Sequence, residues 1–361
     1  MARDLGEDLE SEILVRLPAK SLMRFKCVQR SWNALFRNHR FVMSHMNMHM
    51  SKEHLMVFQF KRNIHASLTC DDPSKPPQYF NCSSPNKTFY FLRSYGSCNG
   101  VFCLGVNYKE SYCNRLILWN PNTRESKLIP FPSNKFSYAF QGFGVDPNTN
   151  DFKIIKPIIN ILDWRHLFIS HAEVYNLSTN SWTVIHDVTL PTTNNALFQL
   201  ANGSNVLVNG VYYWLIGYED GFGSILCFDF RNNQFSKLMA PVDISNIETL
   251  LVQDNTVEDN IFEVNGSLGY IVQCHGQNRL EIWIMNEHKW TKTHNTVWPK
   301  EILILGIWKD GNQLLGRKGY LGKQWLTIYN LGAQPVHQFP VGVYLDSPIE
   351  KYVESIVPLS A

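Results

Sequence analysis

Apolar residues near the N-terminus recur at the spacing of an amphipathic helix. They are separated by steps of four, four, one and three and so lie along one helical face: Leu5, Leu9, Ile13, Leu14 and Leu17. Acidic residues crowd the start of this segment, where carboxylates suit the positive end of a helix. Pro18 predicts the end of the helix, because proline donates no backbone hydrogen bond and disfavours helical conformation in the residue before it.

Two shorter helices are predicted after Pro18, over residues 20–28 and 29–38. The apolar residues expected to face inward are Leu22, Phe25, Val28, Trp32 and Leu35. Three helices within about forty residues bury little surface by themselves, so we expect this helical module to pack against a second domain or a partner.

The pattern then changes to short apolar strands separated by polar turns. Five segments share an apolar run that ends in an aromatic residue, followed by a polar turn and a hydrophobic return. The aromatic anchors of these segments are Trp119, Tyr175, Phe228, Trp283 and Tyr329. They lie 46 to 56 residues apart, and in three copies a second aromatic follows seven residues later, at Trp182, Phe235 and Trp290. This periodicity predicts that the anchors are core residues of a repeat protein.

Turn signals lie between the anchors. Asn-Gly or Asp-Gly pairs occur at 99–100, 209–210, 265–266 and 310–311, and such pairs favour the positive φ angles of two-residue hairpins. Residues 143–155 are interpreted as a further copy with a longer turn, and a strand around Phe58 indicates a sixth unit. Four short strands repeated at a period of about fifty predict a kelch-like β-propeller. A β-sandwich or a half-open array of sheets is the alternative.

The helical module resembles a known adaptor-binding motif. Residues 7–32, E-D-L-x-x-E-I-L-x-R-L-P-x-K-S-L-x-R-F-K-x-V-x-x-S-W, resemble the F-box, which joins a substrate receptor to a Skp–cullin–RING ubiquitin ligase. An ordinary helical hairpin is the alternative. The resemblance implies that eight residues form the core of the module or contact the Skp adaptor: Leu5, Ile13, Leu14, Leu17, Pro18, Leu22, Val28 and Trp32. Gly6 departs from the family, which has proline there. We expect glycine at this position to lower the stability of the first helical turn by about 0.5–1 kcal/mol.

Four further motifs, at residues 97–104, 118–124, 142–153 and 172–182, are similar to the F-box-associated interaction domain of plants. The resemblance implies an α+β two-domain fold, with a three-helix N-terminal F-box followed by an all-β, propeller-like (kelch-type) repeat domain. The expected domains are an F-box at 1–42, a linker helix at 43–53 and a substrate-binding propeller at 54–361. The chain is also similar to the S-locus branch, whose members recognise pollen-rejection ribonucleases in self-incompatibility, although developmental and defence receptors share these motifs.

Composition and charge narrow the classes of partner. The chain has 361 residues, 44% of them hydrophobic, which is enough for two folded domains. Its 33 basic and 31 acidic residues leave a net charge of +2, so nucleic acid is not an expected partner. No apolar stretch approaches the roughly 20 residues of a membrane span, and we see no signal-peptide pattern. We therefore expect a cytoplasmic or nuclear protein whose eight cysteines stay reduced.

Motifs for catalysis or metal binding are missing from the sequence. His45 and His49 would share one helical face, as metal ligands do, but no further ligand completes the set. A linker helix that packs through the neighbouring methionines is the preferred interpretation. No C-x-x-C, P-loop or G-x-S-x-G motif occurs. We expect no catalytic residue, no metal and no cofactor.

The leading functional hypothesis is a non-catalytic substrate receptor of an SCF (Skp–cullin–F-box) E3 ubiquitin ligase. The helical module would bind the Skp adaptor, and through it the cullin and RING subunits, while the β domain would hold a protein target for proteasomal degradation. Target contacts are expected in loops that interrupt the repeat, at 107–115, 157–171 and 217–223. The residues proposed there are Tyr108, Tyr112, Trp164, Arg165, Tyr218, Glu219 and Phe222. The alternatives are a kelch-type metal-dependent oxidase and a receptor that binds its target without ligase assembly.

Overall fold

The computed structural model describes most of the chain. The described residues are 2–49, 54–61, 63–69, 78–82, 89–108, 111–130, 141–163, 166–186, 188, 204–219, 222–243, 257–308, 311–318, 324–343 and 348–359. The chain divides into two compact units, Met1–Phe131 with Asp346–Ala361, and Pro132–Leu345.

Four helices open the first unit: α1 (Ala2–Leu14), α2 (Ala19–Phe25), α3 (Arg30–Leu35) and α4 (His39–His49). Helices α1, α2 and α3 overlap the segments in which the sequence predicts helices, but α4 follows them directly, so a three-helix F-box stays a prediction. Helix α4 begins after Asn38, whose side-chain oxygen accepts a hydrogen bond from the backbone N–H of Arg40 at 2.9 Å, as an N-cap does. The predicted boundary between 42 and 43 falls inside α4, so the division at 1–42, 43–53 and 54–361 stays a prediction. Among the described helices, none has both the length and the apolar character of a membrane span.

Two four-stranded antiparallel sheets complete the first unit. One has the order β24 (Ile349–Tyr352), β1 (His54–Lys61), β2 (Asn63–Thr69) and β3 (Gln78–Cys82). The other consists of β4 (Phe89–Cys98), β5 (Val101–Tyr108), β6 (Ser111–Asn120) and β7 (Glu125–Ile129). Strand β24 is therefore the only described member of these sheets that comes from the other end of the chain.

In the described part of the second unit there are four sheets, each a simple four-stranded meander. The first two are β8 (Gly142–Val145), β9 (Phe152–Asp163), β10 (His166–Asn176), β11 (Ser181–Ile185), and β12 (Asn205–Val208), β13 (Val211–Glu219), β14 (Phe222–Asp229), β15 (Gln234–Asp243). The next two are β16 (Val257–Val264), β17 (Ser267–Cys274), β18 (Arg279–Asn286), β19 (Lys289–Val297), and β20 (Ile302–Trp308), β21 (Gln313–Lys318), β22 (Gln324–Asn330), β23 (Pro335–Val343). A 3₁₀ turn, His275–Gln277, joins β17 to β18.

The predicted repeat is confirmed as a series of six separate four-stranded sheets, which differs from the two packed sheets of a β-sandwich. All five aromatic anchors lie on the third strand of their sheets, namely β6, β10, β14, β18 and β22. Four of them are buried: Trp119, Tyr175, Phe228 and Tyr329. Trp283 is half-buried, with the Lys292 ammonium 4.7 Å from its ring centroid, so the core prediction holds for four of the five.

The second aromatic residues have equal spacing from their anchors in the sequence, but they differ in strand register. Trp182 lies directly opposite Tyr175, and Phe235 lies opposite Phe228, across four-residue turns. Trp290 instead lies opposite Met285, because the β18–β19 turn has only two residues, both with positive φ. Turn length therefore decides which residues face each other, as hairpin geometry requires.

The sixth sheet is also confirmed, but its composition was not predicted. Phe58 is buried on β1, and β1 pairs with β2 on one side and with β24 on the other, where His54 lies opposite Tyr352. Phe58 thus occupies the second position of its sheet, whereas the other anchors occupy the third. The β-strand at 349–352 is too short to have stood out by periodicity.

Hairpin turns form where the Asn-Gly pairs predict them. Asn209 and Gly210 have φ angles of 49° and 81°, and Asn265 and Gly266 have 48° and 74°. Asn99-Gly100 forms the equivalent turn between β4 and β5. Gly311 has a φ of 85°, and Asp310 lies outside the described residues. The longer predicted turn, 146–151, joins β8 to β9.

Two of these glycines differ in what surrounds them, which gives a matched test of turn chemistry. A Cβ on Gly210 would lie 2.7 Å from Cγ of Pro147, whereas one on Gly266 would meet nothing closer than 3.6 Å. We expect Gly266→Ala to lower the free energy of unfolding by about 1–2 kcal/mol, the cost of an L-residue at positive φ. Gly210→Ala should cost about 1–3 kcal/mol more, because the rigid proline must move. Urea denaturation of the two variants measures the difference, and equal losses would contradict the packing argument.

Candidate functional site

Several apolar residues of the helical module are buried: Leu14, Ala19, Leu22 and Phe36. They lie on α1, on α2 and directly after α3. Helix α3 is tied to α1, because Nε1 of Trp32 donates a hydrogen bond to Oε2 of Glu10 at 3.0 Å.

Among the described residues of α1, α2, α3 and the turns between them, three large apolar residues face outward. Leu9 is 59% exposed, Ile13 is 63% exposed and Val28 is 67% exposed, and we call these three residues the exposed apolar set. Leu9 and Ile13 are four residues apart on α1 and so lie on one face of that helix. The prediction that Val28 faces inward is wrong. Helix α2 ends at Phe25, so Val28 lies in the turn before α3 and no longer continues the buried face.

The residues implied by the F-box resemblance therefore divide into two groups. Leu14 and Leu22 are buried, Leu17 and Trp32 are half-buried, and Ile13, Pro18 and Val28 are exposed. Leu5 lies on α1, but its side chain lies outside the described residues. Gly6 lies inside α1, and a Cβ there would meet nothing within 4 Å, so packing does not require glycine.

The turn between α1 and α2 is held by two distant residues. In this turn, the carbonyl of Leu17 accepts a hydrogen bond from Nε2 of His45 on α4 at 2.9 Å. The backbone N–H of Ala19, at the end of the turn, donates to Oε2 of Glu354 at 3.3 Å, across 335 residues of sequence. A cavity of about 130 Å³ adjoins this turn, lined by Pro18, His49, His54 and Glu354. Sequence reasoning missed Glu354, because nothing local in the sequence links it to α2.

His45 and His49 pack inside the module. Both are buried, and their ring centroids are 4.5 Å apart. Because the Leu17 carbonyl only accepts, Nε2 of His45 carries a proton and Nδ1 does not. Burial lowers the pKa of His45 from its ordinary value of 6.5, and the proximity of His49 adds to this, while the Leu17 carbonyl and Glu354 oppose it. Within the described part of the chain, no three His, Cys, Asp or Glu side chains are placed to hold a metal ion.

The predicted target-contact loops occupy one position in their sheets. Tyr108 pairs with Ser111, Asp163 with His166, and Glu219 with Phe222, so each loop is the turn between the second and third strands. Trp164 and Arg165 lie outside the described residues, as do the side chains of the others: Tyr108, Tyr112, Tyr218, Glu219 and Phe222. Their role in target binding stays a prediction. The equivalent turn at His275–Gln277 was missed, because it interrupts the repeat with only four residues.

At the end of the second-unit sheets opposite these loops, turns are joined by hydrogen bonds. Asn148 Nδ2 donates to the Arg231 carbonyl at 3.4 Å, and Arg231 Nη2 donates to the Asn209 carbonyl at 3.0 Å. Asn209 Nδ2 in turn donates to the Gly266 carbonyl at 2.7 Å. The polar groups of these turns are already hydrogen-bonded to neighbouring turns. This favours the other end of the sheets, with the turns between second and third strands, as the end that binds a target.

Comparison with known families decides what these sheets are. The family described as the F-box associated beta propeller domain matches residues 33–310, which is most of the chain. The chain belongs to the F-box-associated β-propeller family of plant F-box proteins. The repeat of four-stranded sheets is thus the propeller repeat of this family.

Relatives of this F-box-associated protein come from Arabidopsis thaliana. A putative F-box/kelch-repeat protein is 28% identical over 273 residues, covering 73% of this chain and 64% of the relative. Putative F-box only protein 9 is 26% identical over 286 residues, covering 78% of this chain and 72% of the relative. A putative F-box protein is 26% identical over 350 residues, covering 91% of this chain and 67% of the relative. The chain therefore spans about two thirds of the length of these relatives.

Solved structures show only a distant likeness. TolB from Acinetobacter baumannii matches 87% of this chain and 73% of its own at a TM-score of 0.45 and 11% identity. A fucose-specific lectin from Aleuria aurantia matches 81% of this chain and 93% of its own at a TM-score of 0.43 and 11% identity. These values are too low to support an inference about function.

The buried histidine predicts how the helices of this F-box protein respond to acid. His45 has a lowered pKa when folded, so below about pH 6.5 the unfolded chain takes up a proton that the folded chain excludes. The contribution of His45 to the free energy of unfolding should therefore fall as the pH drops from 7.5 towards 5, whereas Glu350, whose pKa burial raises to about 7, acts in the opposite direction. In His45→Gln, which keeps a donor for the Leu17 carbonyl but does not titrate, this contribution is absent, so the free energy of unfolding of the wild type should fall relative to that of the variant. Urea unfolding followed by circular dichroism at 222 nm measures this.

His39→Gln is the matched control for the histidine experiment, because His39 is exposed on the same helix. This variant should keep the pH dependence of the wild type. If His45→Gln and His39→Gln behave alike, burial of His45 does not govern the acid response.

Proposed function

We propose that this protein is the substrate-recognition subunit of an SCF E3 ubiquitin ligase. Its helical module acts as the F-box and binds a Skp-type adaptor, and its sheets bind a protein that is then ubiquitinated and degraded by the proteasome. The chain itself makes and breaks no bonds. Its contribution is proximity, because it raises the local concentration of target lysines near the conjugating enzyme.

The observation that carries this proposal is the exposed apolar set of Leu9, Ile13 and Val28. All three side chains are more than half exposed, so they make little packing contact within the chain. Leu9 and Ile13 share one face of α1, and a contiguous exposed apolar surface marks a docking site. Complete burial of each against a partner contributes about 1.5–3 kcal/mol. The F-box resemblance over residues 7–32 and the membership of the F-box-associated family point to the same partner.

The target is proposed as a protein bound by the turns between second and third strands. Those turns include the predicted contact segments at 107–115, 157–171 and 217–223. The S-locus resemblance makes a secreted-type ribonuclease of self-incompatibility one candidate, and developmental or defence regulators form the other class. Both the ligase and its targets would then meet in the cytoplasm or the nucleus.

Two charge-introducing variants test adaptor binding. Ile13→Asp and Val28→Asp should each weaken binding to a purified plant Skp adaptor by about 2 kcal/mol, or roughly thirty-fold, because each places a carboxylate in an apolar contact. Isothermal titration calorimetry of the full chain gives the dissociation constants. Leu128→Asp is the matched control, because Leu128 is 52% exposed but lies on β7 outside the helical module.

The outcomes of this titration separate the hypotheses. A wild-type chain that fails to bind the adaptor would favour a receptor that works without ligase assembly, with Gly6 as the first position to examine. Equal affinities for Ile13→Asp, Val28→Asp and Leu128→Asp would place the adaptor contact elsewhere.

Affinity capture in plant cells with the proteasome inhibited tests the target. We expect ubiquitinated proteins to accumulate on the wild-type chain, because degradation no longer removes them. A chain carrying Ile13→Asp should capture the same proteins with much less ubiquitin, since only the adaptor contact is weakened. A ribonuclease among them would support the S-locus assignment, whereas only developmental or immune regulators would count against it. Absence of ubiquitin on every captured protein would overturn the proposed role.

A further inference from the structure

The C-terminal tail, residues 353–359, joins the helices of the first unit to its sheets. At one end, the Glu354 carboxylate accepts the hydrogen bond from Ala19 at the start of α2. At the other end, the Leu359 N–H donates to Oε2 of Glu125 on β7 at 2.6 Å. The tail therefore contacts the helical module and the sheet of β4–β7 within the same seven residues.

Asn120 at the end of β6 fixes the middle of the tail. Its side-chain N–H group donates to the carbonyl of Ser355 at 3.3 Å and to that of Val357 at 2.9 Å. Its side-chain oxygen accepts from Asn122 at 3.0 Å and from Thr123, which shapes the β6–β7 turn. Asn120 and Ser355 are both completely buried, so these hydrogen bonds are shielded from water.

The contact at Ala19 has no local substitute. Pro18 precedes α2 and offers no side-chain cap, so the hydrogen bond from Ala19 goes to the tail rather than to a neighbour in sequence. A carboxylate acceptor makes a stronger hydrogen bond than a neutral one. On the other side of the same turn, His45 holds the Leu17 carbonyl. The α1–α2 turn is thus fixed from α4 and from the tail at once.

We propose that Glu354 is a positioning residue that sets the orientation of the adaptor-binding helices on the first-unit sheets. This inference rests on the proposed function, because it assigns to Glu354 the placement of the exposed apolar set. The predicted target-contact segment 107–115 belongs to the same unit, between β5 and β6. A fixed orientation holds the adaptor and a target bound at that segment at a constant separation, which transfer by proximity requires.

A distance measurement on the full chain tests the proposal. Spin labels at Arg37→Cys, beyond α3, and Leu128→Cys, on β7, report the separation of the helices from the sheet, because both positions are exposed. Cys27→Ser removes the thiol that is exposed among the described cysteines, and singly labelled chains measure the background from the others. We expect a single narrow distance distribution by double electron–electron resonance in the otherwise wild-type chain.

Three variants in this background define the expected pattern. Glu354→Ala should broaden the distribution at least two-fold, because the acceptor for Ala19 is lost. Asn120→Asp should broaden it as well, because it removes the donor to the tail while keeping the side-chain oxygen that shapes the β6–β7 turn. Glu354→Gln should stay close to wild type, because its amide oxygen still accepts. Glu301→Ala is the control outside the first unit, because this partly exposed carboxylate of the second unit pairs only weakly with Lys318, at 3.9 Å.

The affinity for the Skp adaptor distinguishes a change in the orientation of the helices from damage to the fold of the helical module. Glu354→Ala should bind the Skp adaptor within two-fold of wild type, because the exposed apolar set is intact. An unchanged distance distribution in Glu354→Ala overturns the proposal, and so does broadening in Glu354→Ala without broadening in Asn120→Asp, which would confine Glu354 to local stabilisation of α2. A ten-fold loss of adaptor affinity would also overturn it, by showing that Glu354 maintains the binding surface itself. If the wild type does not bind the adaptor, the proposed function fails, while the distance result still decides whether Glu354 orients the helices.

Discussion

The pairing of β24 with β1 is the constraint on which the arrangement of the first unit depends. It brings residues near the C-terminus beside the strand that directly follows the helices, in register from His54 opposite Tyr352 to Val57 opposite Ile349. Since the chain continues from β24 into residues 353–359, the same pairing delivers the tail to α2, β6 and β7. Tyr352 is buried, stacks against Phe102 and donates a hydrogen bond to Asn122, so the junction of strand and tail is fixed on the neighbouring sheet. Loss of this pairing would remove the constraint that brings residues 353–359 to α2, β6 and β7.

The helical module has both buried and exposed apolar side chains, so it can support its own fold and also present apolar surface to a proposed partner. Leu14, Leu22 and Phe36 are buried, whereas Leu9, Ile13 and Val28 remain in contact with water. Three exposed apolar side chains contribute little to the free energy of folding. Binding of a partner would bury them and supply that missing free energy. The sheets show the converse arrangement at their Asn-Gly ends, where side-chain amides satisfy the carbonyls of neighbouring turns. The proposed docking surface and the hydrogen-bonded turns thus lie on different elements.

The repeat was readable from the sequence because its signals are local. Aromatic anchors on the third strands of five sheets recur at a nearly constant spacing, and Asn-Gly or Asp-Gly pairs follow the first strands of four sheets. Each of these signals reports the conformation of its own neighbourhood. The same local signals gave a wrong prediction for Val28 and gave no information on the partner of Trp290. Val28 was assigned to a buried face by helical spacing, although α2 had already ended. Trp290 has the spacing of Trp182 and Phe235, but a two-residue turn gives it a different partner.

The sequence by itself determined the kind of elements, their number in the repeat and the F-box resemblance of the N-terminal segment. These follow from periodicity and turn chemistry, which act over a few residues. Tertiary structure alone decided which apolar residues stay exposed, which strand completes the sheet of β1, and which side chain accepts the hydrogen bond of Ala19. Each of these depends on contacts between residues far apart in the chain, and a carboxylate 335 residues from its donor leaves no local pattern for either of them.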